Sequence, residues 1–216
     1  SNLSTYGPTK SSLPLEADLA PLFPSLQEST ATIVSEDEPE EIHAWRATGS
    51  AETIPPGVIG QMVHKAIELW LFPNSPQLIP LLETAALNAG LAHPDQRTSA
   101  VQHASAYLTR LQNHPLRMEI ESASQLFHEL PYSRLVEDHA ETGYIDLLYN
   151  SPFGWQILDF KTDSIRSAAE RADLTSKYSR QMYRYSGAVE TLIGQKARTR
   201  ICYLDDNGKI GVEIIG

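Results

Sequence analysis

Apolar residues recur at helical spacing from Gly57 onward. Ile59, Met62, Val63, Ala66, Ile67 and Trp70 form one stripe, which predicts an amphipathic helix stopping before Pro73. Further helices are predicted over 77–89, closed by Gly90, and over 95–112, closed before Pro115. β-rich runs then take over at 125–135, 142–149 and 155–162. The second and third of these flank Ser151-Pro152-Phe153-Gly154, a Pro/Gly turn cluster, so they read as one hairpin. Helical spacing returns over 166–193, with a break expected near 173–176. Runs at 198–204 and 209–215 surround Asp206-Asn207-Gly208 and predict a second hairpin, Asn-Gly being the strongest local cue for a tight turn. The order of helices, three strands, helix and strands predicts an α/β (α+β) fold: a central mixed β-sheet flanked by helices, with a helical N-terminal part.

Three charged residues interrupt this apolar pattern. Burying an unpaired carboxylate is costly, yet each strand of the first hairpin carries one, Asp146 in Gly143-Tyr144-Ile145-Asp146 and Asp159 in Ile157-Leu158-Asp159-Phe160-Lys161-Thr162. Lys161 follows Asp159 by two residues, and residues two apart on a strand share a face. A short hairpin brings Asp146 close to both. Two carboxylates and an ammonium converging on an apolar sheet suggest a divalent cation and an anionic substrate.

Composition narrows the class. The chain has 216 residues, enough for one domain with a tail and a real core. Its single cysteine, Cys202, excludes an internal disulfide framework, a four-cysteine iron–sulfur cluster and a zinc knuckle within the chain. No apolar run approaches membrane-spanning length and the start lacks the regions of a secretory signal, so a cytoplasmic protein with no membrane partner is expected. The net charge of −10 is uneven: residues 1–56 hold nine acids and two bases, residues 57–216 eighteen and fifteen. That balance argues only weakly against nucleic acid, because local fields govern how an anion docks. Prolines between Ser4 and Ser25 and the acidic block Glu36-Asp37-Glu38-Pro39-Glu40-Glu41 mark 1–56 as a flexible linker or partly ordered arm, with the domain proper at 57–216.

Five blocks carry a resemblance. Gly57-Val58-Ile59-Gly60-Gln61-Met62-Val63-His64 with Glu68 comes first, then His128-Glu129-Leu130-Pro131. Gly143-Tyr144-Ile145-Asp146 and Asp159-Phe160-Lys161-Thr162 follow, and Gln181-Met182-Tyr183-Arg184-Tyr185 closes the series. In this order and on these elements they resemble the RecB/AddA-type nuclease domain of the PD-(D/E)XK superfamily, over roughly residues 57–204. The resemblance implies a restriction-endonuclease-like core running α-β-β-β-α-β and an Mg²⁺- (or Mn²⁺-) dependent deoxyribonuclease, of exonuclease type, acting in recombination and repair. Ile145-Asp146 stands where "Pro-Asp" gives the superfamily its name. The chain has no G-x-x-x-x-G-K-[ST] phosphate loop and none of the cysteines that hold an iron–sulfur cluster in some relatives.

On that resemblance Asp146 and Asp159 ligate the metal, with His64 and the backbone carbonyl of Phe160 completing the shell. Lys161 orients or helps deprotonate the attacking water, and Glu129 binds a second metal or holds a water. Gln181 and Tyr185, one helical turn apart, share a face with Lys177 and Arg184 and beside Arg180, a stripe suited to DNA. Each residue has a plainer reading: paired structural acids, a lysine at a strand end, a satisfied helix histidine, an exposed edge glutamate, a solvated basic stripe. Glu68 reads as a helix-surface or supporting group, and His43, His93, His103, His114 and His139 as surface residues. The implied partners are single- or double-stranded DNA ends, an upstream helicase motor in the same chain and a partner subunit. The alternative function is a catalytically inert nuclease-fold module for DNA binding or subunit docking.

Overall fold

The computed structural model describes residues 54–136 and 139–216, with the side chains of Pro56 and His139 excepted, and the backbone of Ile33–Val34. The arm assigned to 1–56 therefore lies largely outside the described residues, as does His43.

Four helices come first: α1 (Pro56–Glu68), α2 (Leu78–Asn88), α3 (Pro94–Gln112) and α4 (Pro115–Glu121). In α1 the expected stripe turns inward, with Met62, Val63, Ala66 and Ile67 buried. Helical spacing does not predict α4, because Pro115 reads there only as a stop. Proline also starts helices, since its absent N–H is one of the unpaired donors of the first turn. Pro115 opens α4, and His114 caps it by accepting the Leu116 amide at Nδ1, 3.2 Å away. His114 is thus a half-buried cap rather than a surface residue.

The sheet contains β1 (Ile33–Val34), β2 (Gln125–Val136), β3 (His139–Ser151), β4 (Gly154–Ile165), β5 (Arg198–Asp206) and β6 (Lys209–Ile215). β2, β3 and β4 form an antiparallel meander, β4 and β5 run parallel, and β5 and β6 close as a hairpin. β1 pairs with Ala140 and Glu141 of β3 in parallel. The sheet is mixed, as expected. Parallel neighbours need a long crossover, and α5 (Ala168–Ile193) supplies it. This helix runs unbroken through 173–176, correcting the expected break. Local polar residues favour a break there, but Ser179 Oγ donates to the Thr175 carbonyl, Thr175 Oγ1 lies 3.0 Å from the Tyr203 hydroxyl, and Leu174 packs against the core. Packing overrides the local preference.

Helices cover both faces. Leu147, Tyr149, Leu158, Phe160, Cys202 and Leu204 pack against α1–α4, whereas Leu148, Ile157, Ile201 and Tyr203 pack against α5. The β5–β6 turn has Asn207 and Gly208 both at positive φ, 50° and 78°, the geometry a two-residue hairpin loop demands.

Candidate active site

The side-chain alternation of two neighbouring strands reverses at one cross-strand position. In β2, Leu126 packs with the α1–α4 core and Leu130 and Tyr132 with the α5 core, although all three have even numbers. In β3, Leu147 and Tyr149 face α1–α4 while Ile145 faces α5. A regular strand keeps such residues on one face. The crossover falls at Glu129 and Asp146, which the register sets opposite each other, between the His128↔Leu147 and Leu130↔Ile145 pairs. Glu129 takes φ 45°, a left-handed conformation rare in any non-glycine residue. Strain of this kind re-aims a side chain.

The other edge of β3 parts from its neighbour at the same level. Its ladder with β4 ends at Leu147↔Leu158, so the next two positions, Asp146 and Asp159, flank the apex of a split between strands. Asp146 Oδ2 takes the Phe160 amide across it at 2.8 Å, a side chain standing in for a ladder bond. Asp146 Oδ1 lies 3.3 Å from Nδ1 of His64, which reaches in from α1. His64, Glu129 and Asp146 each offer a ligand atom, and all three atoms lie within 4.8 Å of one another.

Asp159 and Lys161 share a face, as the two-residue spacing predicts, and it is the face covered by α5. Lys161 Nζ sits 3.1 Å from Asp159 Oδ2, donates to Gln181 Oε1 at 3.0 Å, and lies 4.4 Å from the centre of the Tyr178 ring. Gln181 in turn donates through Nε2 to the Tyr185 hydroxyl at 2.8 Å. The ammonium is therefore fixed from three sides, by strand and helix together.

These charges move each other's protonation. Burial pushes the His64 imidazole down, but the charge and hydrogen bond of Asp146 more than reverse this and raise it to about 9. Burial alone would lift Asp146; His64, Lys161 and the Phe160 amide instead hold its carboxyl below the usual range. Asp159 is pushed up to about 6 by burial and by Asp146, against the pull of Lys161. Glu129 rises to about 7, through burial first and then the charges of Asp146 and Glu68. Such divergent acid environments are typical of functional sites.

The donor set fits a hard divalent cation. Ligands around Mg²⁺ sit about 2.1 Å from the ion, so pairs of donor atoms are spaced about 3–4 Å apart. The His64–Glu129–Asp146 triad is within easy adjustment of that spacing. The charges of Glu129 and Asp146 repel, a cost that His64 offsets in part and a divalent cation would offset further.

The profile of the PD-(D/E)XK nuclease superfamily matches residues 40–214. The chain belongs to that superfamily. The match begins inside the arm, ahead of Gly57. Among proteins, the chain is similar to an ATP-dependent helicase/nuclease subunit of Lysinibacillus sphaericus, 33% identical over 96 residues (39% of this chain, 8% of the relative). The protein of the same name from Acetivibrio thermocellus is 27% identical over 122 residues (49% and 10%). That from Bacillus licheniformis is 36% identical over 74 (32% and 6%). The matched stretch is thus a tenth or less of each relative's length. Among solved structures, protein VC1899 from Vibrio cholerae aligns over 70% of this chain and 48% of its own, at 12% identity and a TM-score of 0.30.

The other expected residues make contacts of their own. Phe160 meets the site through its amide, which is bonded to Asp146. Lys177 is exposed on α5 beside the Tyr178 ring. Arg184 approaches Glu141 on β3, which also pairs with Arg134 of β2, so it ties the helix to the β2–β3 hairpin. Tyr185 is only 3% exposed, its ring against Tyr132 at 5.7 Å, so its link to the site runs through Gln181. Glu68 pairs with Lys65 at 2.6 Å on the rim. Sequence reasoning missed Tyr178. Its position three before Gln181 was the available signal, but a tyrosine at helical spacing reads as core. Its hydroxyl donates to Asp163 at 2.9 Å and its ring carries the Lys161 ammonium. Among the described residues no helix is long and apolar enough to cross a membrane.

Proposed function

We propose that this chain is a divalent-metal-dependent deoxyribonuclease that hydrolyses phosphodiester bonds at the split between β3 and β4. The observation that carries this reading is the convergence of His64, Glu129 and Asp146 with the Asp159–Lys161 pair. His64, Glu129 and Asp146 hold the cation (Mg²⁺ or Mn²⁺), Asp159 stands at the same apex, and the Phe160 carbonyl adds an oxygen. The ion supplies Lewis-acid neutralisation of the phosphodiester oxygens. Lys161, clamped by Asp159 and Gln181, points its charge where negative charge develops as water attacks phosphorus. A positioned cation there stabilises the transition state without reorganisation. The water oxygen bonds to phosphorus, the bond to the 3′-oxygen breaks, and a proton ends on that oxygen. Gln181 fixes Lys161, while the exposed Lys177 on α5 guides the strand through its phosphates.

The names of the relatives support a wider placing. This chain is then the nuclease part of an exonuclease-type helicase–nuclease in cytoplasmic DNA recombination and repair, with a motor elsewhere in the same protein and a partner subunit. Incubating the protein with linear single- and double-stranded DNA at low salt tests the core of it. Degradation is expected with Mg²⁺ or Mn²⁺, none with EDTA, and a loss of at least ~100-fold for Lys161→Ala, Asp146→Ala or Asp159→Ala, the scale of removing one group that stabilises transition-state charge. Cleavage that survives EDTA, or all three substitutions, would falsify the assignment.

A further inference from the structure

We propose that Trp70 and His128 are positioning residues for the metal ligands: their ring contact locks the end of α1 onto β2 and so fixes the reach between His64 and Glu129. This deepens the nuclease reading and rests on it. Among the described residues only three other than glycine take positive φ: Trp70, Glu129 and Asn207. Asn207 belongs to a hairpin turn that demands it. The other two are joined through one imidazole. The Trp70 and His128 rings stand 5.1 Å apart, centre to centre, and His128 directly precedes Glu129. Backbone strain of this kind persists only where the surroundings over-determine it, and it gathers at functional sites.

The end of α1 shows what holds Trp70 there. The Trp70 amide donates to the Ile67 carbonyl at 2.9 Å and the Leu71 amide to that of Ala66 at 2.8 Å. This is a left-handed helix cap whose key position is ordinarily glycine, which would close it without strain. Tryptophan adds an indole instead, set edge to face with Phe72 at 5.0 Å and donating through Nε1 to Glu121 at 3.2 Å. From the strand side, the His128 imidazole hydrogen-bonds the Ile67 carbonyl. Its Nδ1 is buried with no partner among the described residues, so the donor is Nε2. One carbonyl thus receives both the cap of α1 and a ring from β2. Ile67 follows His64 by three residues and shares its side of α1. The clamp therefore sits one turn from His64 and one residue from Glu129, whose donor atoms lie within 4.8 Å of each other. Supporting partners of this sort orient the ligands, and losing one costs a metal site about 10- to 100-fold in affinity.

Mn²⁺ binding to the full chain without DNA, followed by electron paramagnetic resonance, tests this. Trp70→Gly keeps the cap and removes the ring; His128→Ala removes the ring from the other side. Each should weaken Mn²⁺ binding roughly 10- to 100-fold. Val189→Ala, a truncation in the core under α5, should bind as the parent does. Trp70→Phe keeps a ring against His128 and should recover most of the loss. In a Glu129→Gln background Trp70→Gly should cost no further affinity, because the ligand it positions is already gone. A merely structural tryptophan would give the same loss with or without that carboxylate. Parental affinity in Trp70→Gly or in His128→Ala, an equal loss in Val189→Ala, or an undiminished loss in the Glu129→Gln background overturns the proposal. His128→Ala carries the test should Trp70→Gly fail to fold. A parent that binds no Mn²⁺ overturns the nuclease reading as well, which tells the two failures apart.

Discussion

His64 and Asp146 carry the clearest consequence of single residues. With no cation present the imidazole, held at about 9, keeps its proton and forms an ion pair with Asp146. That pair stabilises the fold fully below the unfolded histidine value of about 6.5, and the benefit is lost as pH rises through about 9. A cation needs the neutral imidazole, so it displaces the proton. Glu129 at about 7 and Asp159 at about 6 add further protons to displace at lower pH. Mg²⁺ or Mn²⁺ affinity should therefore rise steadily from pH 6 to 9. Calorimetry in buffers of different ionisation enthalpy should register proton release at pH 7. Binding without proton release would show that His64 is not a ligand.

Among the elements, β2 and β3 accept a local defect to build the site. Glu129 sits at φ 45° where a regular ladder would turn its carboxylate elsewhere. Glycine adopts positive φ freely and β-branched residues do so worst. Glu129→Gly should thus melt at or slightly above the parent temperature, and Glu129→Val should fall by about 1–3 kcal/mol. Both should lose metal affinity. If Gly and Val melt alike, backbone strain is not what holds the glutamate in place. The strands themselves were legible in the sequence through alternation and turn chemistry. The reversal at Glu129 and Asp146 was not, because alternation assumes the regular strand that the site breaks.

Charge acts on the whole molecule. The protein carries −10 overall and sets the carboxylates Glu129, Asp146 and Asp159 against the cationic His64 and Lys161, so without a divalent cation the site has no surplus positive charge to hold a phosphodiester. DNA binding in EDTA should be at least about tenfold weaker than in Mg²⁺, and the Mg²⁺-dependent part should fall steeply with added salt. Equal affinity with and without the cation would place the DNA away from the triad. The relatives are far longer than this chain.

The order of elements, the mixed sheet, the Asp159–Lys161 face and the family blocks can all be read from the residues in a line. Each depends on spacing along one strand or helix, which periodicity reports. Whatever depends on distance between elements came with the packed fold. Packing set Glu129 beside His64 and Asp146, turned Gln181 onto Lys161 and buried Tyr185 behind Gln181. It also carried α5 straight through 173–176, because contacts with β5 outweigh the local preference for a break. Spacing shows which residues can share a face; only packing decides which faces meet.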